Sequence, residues 1–322
     1  MSTGAASTRR LGAPMRSTPR DLSVVIASWN TRQLLCDCLA SLETALAQRP
    51  LNAEIIVVDN GSTDGSPALV AERFPGVRLI RNAENRMYAG ANNQGIAASE
   101  GRNILLLNSD TVVTPGALET MMRRLDATPR LGGVSPKLLN PDGTVQRSCW
   151  PFPLKAIIGN TFGLYRLGIL DDYRAWDYRR DRGVDWLSSA CLMVPRRVFD
   201  EVGVLDERFF YGVDVEWAHR AAKAGYRFMA LASAEVIHHG RGSQHGVEPP
   251  PIADRPTSGA LYFRTHYGPL GAAFFRVLLV TGSLPRLIFW EIGHRLRPSR
   301  AAGVRRVMLR RMLASALGLK AR

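Results

Sequence analysis

The chain has 322 residues, of which 46% are hydrophobic and 22% are charged, so it can bury a sizeable core and is not a disordered protein. Its net charge of +14 indicates a negatively charged partner, such as nucleic acid, an anionic membrane surface or a phosphorylated substrate. The four cysteines (Cys36, Cys38, Cys149 and Cys191) lack the spacing of a metal site, which predicts reduced thiols and a cytoplasmic location.

The first half of the chain alternates short apolar runs with helical patterns. Residues 1–20 form a basic tail without the apolar run of a signal peptide, and we expect this tail to be flexible. Buried strands are then predicted over residues 22–27, 54–58, 77–80 and 103–107. Helices follow each strand, the last of them starting at Thr114 and Pro115. This alternation predicts an α/β fold with a doubly wound, mostly parallel sheet and helices on both faces.

The second half of the chain is less regular. Its predicted elements are a hairpin over residues 134–145, strands over 186–194, 226–231 and 234–238, and helices over 195–202 and 213–224. Residues 150–183 are rich in Arg, Tyr and Trp and show little periodicity, so we expect a loop or small subdomain over the functional site.

The last segment, residues 249–322, begins with a proline run and combines an apolar stretch with many arginines. Residues 270–292 are apolar but contain Arg276, Pro285 and Arg286. Because an arginine at the bilayer centre costs about 2.5–3.5 kcal/mol on insertion scales, we expect helices that lie in the membrane interface. The basic residues of 295–311 would then meet anionic headgroups. The alternative is that these helices belong to the core of the same domain.

Polar residues follow three of the predicted strands, at residues 28–30, 59–62 and 108–110. In an open α/β sheet, ligands bind at the carboxyl ends of the strands, so these three loops are predicted to form one site. Asp110, which follows the central strand, and Asp59 are the acidic residues of this site. The alternative for both is an ordinary turn or capping role.

Several ordered motifs resemble the nucleotide-sugar-dependent glycosyltransferases of family 2. The stretches are SVVIASWN, EIIVVDNGSTDGS, NRMYAGANNQGI and LLLNSDT, followed by SSACLMVPRRVFDEVGVLDERFFYGVDVEW and VIHHGRGS. Within that family, the bacterial rhamnosyltransferase-like branch is the most similar. The resemblance implies a GT-A-like domain over residues 21–248, with C-terminal interfacial helices over 249–322.

The resemblance also implies a reaction. We expect inverting transfer of a sugar, with rhamnose as one candidate, from a UDP- or dTDP-sugar to a hydroxyl of a glycan linked to polyprenyl diphosphate. Such an enzyme would act in bacterial polysaccharide, O-antigen or cell-wall synthesis, in the cytoplasm and peripherally on the inner face of the membrane. Residues 150–183 would help to select the acceptor.

The family pattern assigns roles to individual residues. Asp214 falls at the position of the general base, although a plain N-cap is the alternative, and Val213 replaces the preceding glutamate of the family. Asp59 would accept the imide N–H of a uracil or thymine ring. Further substrate contacts are expected from Ser28, Asn30, Asn60, Gly61, Asn85, Arg86, Asn92, Asn108, Glu216 and Trp217. On a helix, Glu216 would point away from Asp214, so the two carboxylates cannot serve equally.

A divalent cation, Mg²⁺ or Mn²⁺, is the expected cofactor, because a leaving diphosphate needs a cation. The family commonly presents Asp-x-Asp, whereas this chain has Asn108-Ser109-Asp110. Asp110 and His238 are therefore the expected ligands, with His239 or a purely structural histidine as alternatives, and the affinity should be modest. Met87 also departs from the family, which has glycine at that position.

Two other functions fit parts of the sequence. Val213, Met87 and Asn108 would suit a nucleotide-sugar-binding protein that has lost catalysis. The charge of +14 would suit a nucleic-acid-binding module. The basic residues, however, gather at the two ends beside an apolar segment, so we expect no nucleic-acid partner.

Overall fold

The computed structural model describes residues 20–48, 51–240, 255–296 and 300–317. The predicted N-terminal tail, apart from Arg20, and the proline run at residues 249–251 lie outside these ranges. The strands are β1 (Leu22–Ser28), β2 (Ala53–Asp59), β3 (Arg78–Arg81), β4 (Asn103–Asn108), β5 (Thr111–Val113), β6 (Leu131–Leu139), β7 (Val145–Gln146), β8 (Cys149–Trp150), β9 (Arg182–Val184), β10 (Trp186–Leu187), β11 (Cys191–Pro195) and β12 (Arg227–His238). The helices are α1 (Arg32–Gln48), α2 (Ser66–Arg73), α3 (Met87–Ala98), α4 (Ala117–Ala127), α5 (Pro153–Thr161), α6 (Arg196–Val202), α7 (Val213–Lys223), α8 (Arg255–Leu296) and α9 (Arg300–Ala316).

Ten of the strands form one mixed sheet, in the order β3-β2-β1-β4-β11-β6-β12-β5, with β7 beside β6 and β9 beside β12. β1, β2, β3 and β4 are parallel, as the alternation of strands and helices predicts. β11 runs antiparallel to β4, with Cys191 opposite Leu107, and β5 runs antiparallel to β12. The α/β class is therefore confirmed. The sequence pattern did not indicate these antiparallel pairings, nor those of β11 with β6 and of β12 with β9.

Both faces of the sheet are covered. Val24 and Ile26 of β1 pack in one apolar cluster with α1, α2 and α4, whereas Val25 packs on the opposite face with residues of α3, α6 and α7. This alternation follows from the two-residue period of a strand. It also explains why β1 and β4 read as continuous apolar runs, since neither face meets water.

Three predicted boundaries are wrong. The helix after the central strand begins at Ala117, because residues 111–113 form β5 and Gly116 precedes the helix with φ 78°. Residues 186–194 form two strands separated at residues 188–190. The two predicted strands at residues 226–231 and 234–238 are one strand, β12, which has a register irregularity between Leu231 and Glu235. The hairpin is confirmed by the pairing of β6 with β7.

The long helix α8 is divided at Gly268, which has φ 71° and ψ −170°. Tyr262 and Phe263, before this break, are buried in the second apolar cluster. Beyond it, large apolar side chains are exposed, including Leu270 (84%) and Phe289 (66%). By length and composition, residues Thr257–Arg295 could cross a membrane, and only 11% of the most apolar window is buried. This exposure argues against the core-helix alternative for the second half of α8.

We expect Phe263→Ala to destabilise the whole domain. Phe263 is 1% exposed and stacks on Phe275 at 4.9 Å between ring centroids. Losing a buried phenylalanine typically costs about 3–5 kcal/mol, because a cavity remains. Phe289→Ala, in the exposed second half of the same helix, is the matched control and should change the free energy of unfolding little. Urea denaturation would measure both, and equal effects would contradict the division of α8 at Gly268.

Candidate active site

A cavity of about 530 Å³ opens at the carboxyl edge of β1 and β4, a volume typical of small-molecule sites. Its lining residues come from the ends of five strands, the start of α3 with the loop before it, and the start of α7 with the loop before it: Ala27, Ser28, Trp29, Asn60, Asn85, Met87, Tyr88, Asn108, Ser109, Asp110, Ser188, Ser189, Ala190, Phe210, Tyr211, Gly212, Val213, Asp214 and His238. The three predicted loops therefore do converge, and the second half of the chain completes the wall.

The antiparallel direction of β11 explains part of this wall. Because β11 runs opposite to β4, the residues that precede β11 lie beside those that follow β4. Asn108 donates its backbone N–H to Ala190 at 2.9 Å across this edge. Residues 188–190 consequently face the same cavity as Ser109 and Asp110.

His238 and Asp110 meet at the cavity floor. The pairing of β12 with β5 sets His238 opposite Thr111, and His238 Nε2 lies 3.3 Å from Asp110 Oδ1. Asn108 Nδ2 is also 3.3 Å from this ring nitrogen. The described residues contain no cluster of three or more His, Cys, Asp or Glu side chains that could hold a metal ion. The two donors fit a hard cation that takes its remaining ligands from phosphate oxygens and water.

Asp214 faces the cavity from the first turn of α7, which begins after Gly212 at φ 73°. Its carboxylate accepts the backbone N–H of Val215 at 2.9 Å and, more weakly, that of Ser189 at 3.5 Å. Burial raises the pKa of Asp214 above its ordinary value, although these hydrogen bonds oppose the shift. A carboxylate with a raised pKa that faces a cavity suits a proton acceptor.

Asp59 lies just behind the wall of the cavity, next to Asn60, which lines it. Asp59 is 3% exposed, and its Oδ2 accepts the backbone N–H of Ser62 at 3.1 Å. Within the described residues, its Oδ1 is buried without a hydrogen-bond partner. Leaving a buried acceptor unpaired is costly, and a ligand N–H is the kind of donor that would pair with it.

Asn30 and Asn60 hold the loops together. Asn30, at φ 51°, accepts the backbone N–H of Thr63 at 2.8 Å and does not line the cavity. Asn60 donates to the carbonyl of Met87 at 3.1 Å, which joins the second loop to the start of α3. Gly61, at φ 76°, also lies outside the wall, and a Cβ there would come within 3.2 Å of the backbone of Glu84. Of the contacts predicted in the first two loops, Ser28 and Asn60 face the cavity, whereas Asn30 and Gly61 do not.

The start of α3 contains a strained residue. Met87 has φ 59°, in the left-handed region that favours glycine, and its side chain is 52% exposed. This conformation accounts physically for the glycine that the family has there. Asn85 lines the cavity, whereas Arg86 lies outside it, 3.8 Å from Glu207. Asn92 is buried in α3, where it donates to the carbonyl of Tyr88 at 2.8 Å.

Glu216 and Trp217 require a correction, because neither reaches the cavity. Glu216 accepts hydrogen bonds from Arg220 at 2.9 Å and lies 3.5 Å from His266 Nε2. Trp217 is 1% exposed and donates to the carbonyl of Gly203 at 2.8 Å. The helical period turns both side chains away from Asp214, as the spacing of Glu216 already indicated. They stabilise the packing of α7 instead of contacting a substrate.

Sequence reasoning missed several lining residues, among them Tyr88, Ser189 and Phe210. Tyr88 donates to the carbonyl of Ser189 at 3.1 Å, which joins α3 to the segment before β11. Ser189 could have been found from the sequence, because Ser188-Ser189-Ala190 interrupts the apolar run at residues 186–194 and so indicates a break in the strand. Residues 150–183 form α5, β9 and irregular turns, and none of them lines the cavity, which does not support their predicted position over the site.

Comparison with known proteins shows the family. Residues 23–171 match the family model described as glycosyl transferase family 2. The chain is 34% identical over 238 residues to the N-acetylglucosaminyl-diphospho-decaprenol L-rhamnosyltransferase of Mycobacterium tuberculosis, covering 68% of this chain and 76% of that protein. It is 31% identical over 274 residues to the O-antigen biosynthesis protein RfbC of Myxococcus xanthus, covering 83% of this chain and 21% of that protein.

Solved structures share the fold. The mannosyltransferase PcManGT from Pyrobaculum calidifontis, in complex with GDP-Man and Mn²⁺, has a TM-score of 0.51 at 19% identity, with 94% of this chain and 87% of that chain covered. GalNAc-T7 with UDP, GalNAc and Mn²⁺ has a TM-score of 0.52 at 16% identity, with 77% and 52% covered. At such identities the likeness concerns the fold alone, and it confirms the predicted GT-A-like architecture.

Replacing Asp214 by asparagine should change the pH dependence of stability. Because the native pKa of Asp214 is raised, the native state binds more protons than the unfolded chain above pH ~3.9, so this carboxyl lowers stability as the pH rises. We expect the stability of Asp214→Asn relative to wild type to increase between about pH 4 and about pH 7. Urea denaturation at several pH values would measure this slope.

Asp142→Asn is the control of opposite sign. Hydrogen bonds from Thr144 hold the pKa of Asp142 below its ordinary value, so its carboxylate stabilises the native state as the pH rises and loses that effect in acid. The relative stability of Asp142→Asn should therefore decrease as the pH rises toward about 3.9 and change little above about pH 5, below the range in which Asp214 acts. Slopes of the same sign for both variants would contradict the environment described for Asp214.

Proposed function

The chain belongs to glycosyl transferase family 2, and from this membership we propose that it transfers a sugar, with inversion, from a UDP- or dTDP-sugar to a hydroxyl of a lipid-linked glycan. The observation that carries the proposal is the presence of Asp214 and the Asp110–His238 pair in one cavity. A proton acceptor and a potential cation site in one cavity are what a single displacement at a sugar carbon requires.

In the proposed reaction, Asp214 takes the proton of the acceptor hydroxyl, and the oxygen forms a bond to the anomeric carbon. The bond from that carbon to the diphosphate oxygen breaks on the opposite face, so the configuration inverts. The raised pKa of Asp214 brings its basicity closer to the operating pH, which favours proton transfer. Asp110 and His238 would hold Mg²⁺ or Mn²⁺, which would supply positive charge to the leaving diphosphate.

The donor nucleotide is proposed from Asp59. Its unpaired Oδ1 can accept a hydrogen bond from a base that carries an imide N–H, as uracil and thymine do. Ser28, Asn60 and Asn85 are the further polar residues beside it that face the cavity. Asn108, which donates to His238 Nε2, remains a candidate contact to the ribose or the sugar.

The acceptor is proposed from the named relatives and the C-terminal helices. The M. tuberculosis relative acts, by its name, on N-acetylglucosaminyl-diphospho-decaprenol, and RfbC takes part in O-antigen biosynthesis. An acceptor with a polyprenyl chain lies in a membrane. The second half of α8 exposes apolar side chains that are suited to contact the membrane. We therefore place the enzyme at the cytoplasmic face of the membrane, with rhamnose as one candidate sugar.

UDP or dTDP, in the presence of Mg²⁺ or Mn²⁺, should raise the melting temperature. A nucleotide at a hundred times its dissociation constant adds about 2.7 kcal/mol, a shift of a few degrees for a chain of this size. ADP, whose base lacks an imide N–H, is the control nucleotide and should give a smaller shift. Asp59→Asn should remove most of the UDP or dTDP effect, and EDTA should reduce it.

Asp214→Asn separates binding from chemistry in the same assay. This variant should keep the nucleotide-induced shift but lose about 10²–10⁴-fold in sugar transfer, because it cannot accept the proton. Transfer would be measured with dTDP-rhamnose and a prenol diphosphate-linked N-acetylglucosamine. Near-full transfer by Asp214→Asn would contradict its role as base, and nucleotide binding without any turnover by wild type would favour the binding-protein alternative.

Membrane binding should depend on the second half of α8. Phe289 is 66% exposed, and burying a phenylalanine in an apolar phase is worth about 1.5–3 kcal/mol, so Phe289→Ser should weaken binding to anionic vesicles roughly 10–100-fold. Phe162→Ser is the matched control, because Phe162 is 69% exposed but lies after α5. Vesicle sedimentation would measure both, and equal losses would contradict the assignment to α8.

A further inference from the structure

Gln146 lies on β7, the second strand of the β6–β7 hairpin. It contacts the ring nitrogen of His238 that faces away from Asp110 and Asn108. Gln146 Oε1 lies 2.6 Å from His238 Nδ1. Gln146 Nε2 donates to Asn140 Oδ1 at 2.9 Å and to the backbone carbonyl of His238 at 3.2 Å. Neither the resemblance to family 2 nor the cavity wall includes this glutamine, so its role needs a separate account.

The orientation of the Gln146 amide follows from a chain of hydrogen bonds that begins at a carboxylate. Asp142 Oδ1 can only accept, and it takes the hydroxyl proton of Thr144 at 2.6 Å. Thr144 Oγ1 must then act as the acceptor for Asn140 Nδ2, at 2.9 Å. This turns Asn140 Oδ1 toward Gln146 and leaves the amide nitrogen of Gln146 as the donor between them.

The same chain decides where the imidazole of His238 carries its proton. The amide nitrogen of Gln146 donates both of its hydrogens, to Asn140 Oδ1 and to the backbone carbonyl of His238. The amide oxygen, Oε1, therefore faces His238 Nδ1, and because Oε1 can only accept, Nδ1 must carry a hydrogen. In a neutral imidazole the other nitrogen, Nε2, then has a free lone pair. Asn108 Nδ2 can donate to that lone pair, and Asp110 Oδ1 lies 3.3 Å from the same nitrogen, so that one cation could contact both the nitrogen and the carboxylate.

We propose that Gln146 is a positioning residue that holds His238 in the Nδ1–H tautomer, so that its Nε2 lone pair faces Asp110 across the cavity floor. The hairpin residues Asp142, Thr144 and Asn140 fix the glutamine, and the glutamine fixes the histidine. The tautomer stands on the hydrogen bonds alone, whereas its use as a cation ligand rests on the proposed function. In the opposite tautomer, Nε2–H would donate to Asp110 and could ligate nothing.

The arrangement also gives Asn108 a use. Where the family has a second aspartate, this chain has an amide that can donate to the histidine lone pair. Asp110 Oδ1 already lies 3.3 Å from Nε2, and a second carboxylate at residue 108 would favour a hydrogen on Nε2 further, against the orientation that Gln146 imposes. The replacement of Asp by Asn at residue 108 and the presence of Gln at residue 146 therefore select the same tautomer of His238.

The test is ¹⁵N NMR of the histidine rings in the cation-free full chain, since the two ring nitrogens have different shifts in each tautomer. Wild type should show His238 as Nδ1–H. Gln146→Met, which keeps the length of the side chain but removes the acceptor, should shift the population toward Nε2–H and weaken Mn²⁺ binding about 10–100-fold. Gln33→Met, on the exposed face of α1, is the matched control and should change neither quantity.

Thr144→Val provides a second variant that interrupts the chain at an exposed position of the hairpin. It should shift the tautomer in the same direction but less than Gln146→Met. An Nε2–H tautomer in wild type, or an unchanged tautomer in Gln146→Met, would overturn the proposal. A shifted tautomer with unchanged Mn²⁺ affinity would confirm the positioning by Gln146 and would instead contradict the cation-binding role of His238 in the proposed function.

Discussion

The antiparallel pairing of β11 with β4 is the constraint on which the site depends. Parallel strands connected by helices bring only their own carboxyl ends to the ligand edge of a sheet. By reversing direction next to the central strand, β11 adds residues 188–190 to that edge, and its backbone contacts both sides of the cavity. Ala190 accepts from Asn108 on the side of Asp110, and Ser189 donates to Asp214 on the other side. One strand direction therefore connects the two carboxylates that the chemistry needs.

The surroundings of the acidic residues separate their roles. Asp214 is held by backbone N–H groups, and none of its hydrogen-bond partners among the described residues is a cationic side chain, so burial dominates and raises its pKa. Glu216 is nearby in sequence but accepts from Arg220 and lies beside His266, where it serves the packing of α7. Because a helix turns successive side chains to different faces, Asp214 faces the cavity while Glu216, two residues later, forms an ion pair with Arg220 away from it.

Much of this could be predicted from the sequence, and the failures have physical causes. The sequence indicated the α/β class and the ligand edge through the apolar runs of β1, β2 and β4 and the polar residues after them. A strand that is buried on both faces is recognisable because it is apolar at nearly every position. The family motifs then indicated Asp110, Asp214 and His238. Asn30, Gly61, Arg86 and Asn92 were expected at the ligand but lie outside the cavity wall. Asn30 joins the first loop to the second, whereas Asn92 bonds to the backbone of its own helix, α3.

Other features depend on pairings between distant segments, which no local pattern reports. The reversal of β11 placed Ser189 in the site, and the pairing of β12 with β5 placed His238 beside Asp110. The contact of Gln146 with His238 could not be predicted for the same reason, since these two residues are distant in sequence and no local pattern indicates that they meet. Met87 shows the reverse case, in which the sequence departed from its family while the backbone kept the conformation of glycine.

The division of α8 at Gly268 has a consequence for how this enzyme could be made independent of lipid. Before the break, Tyr262 and Phe263 complete the apolar cluster around α7, and His266 stacks on His219 at 4.1 Å between ring centroids. Truncation at the proline run near residue 250, the natural place to cut by sequence, would strip these aromatic rings from the catalytic domain and expose its core. A water-soluble version must instead keep α8 past Gly268 as far as Phe275, because Phe275 stacks on Phe263 of the second apolar cluster. The segment that resembles an appended anchor thus begins as part of the catalytic domain itself.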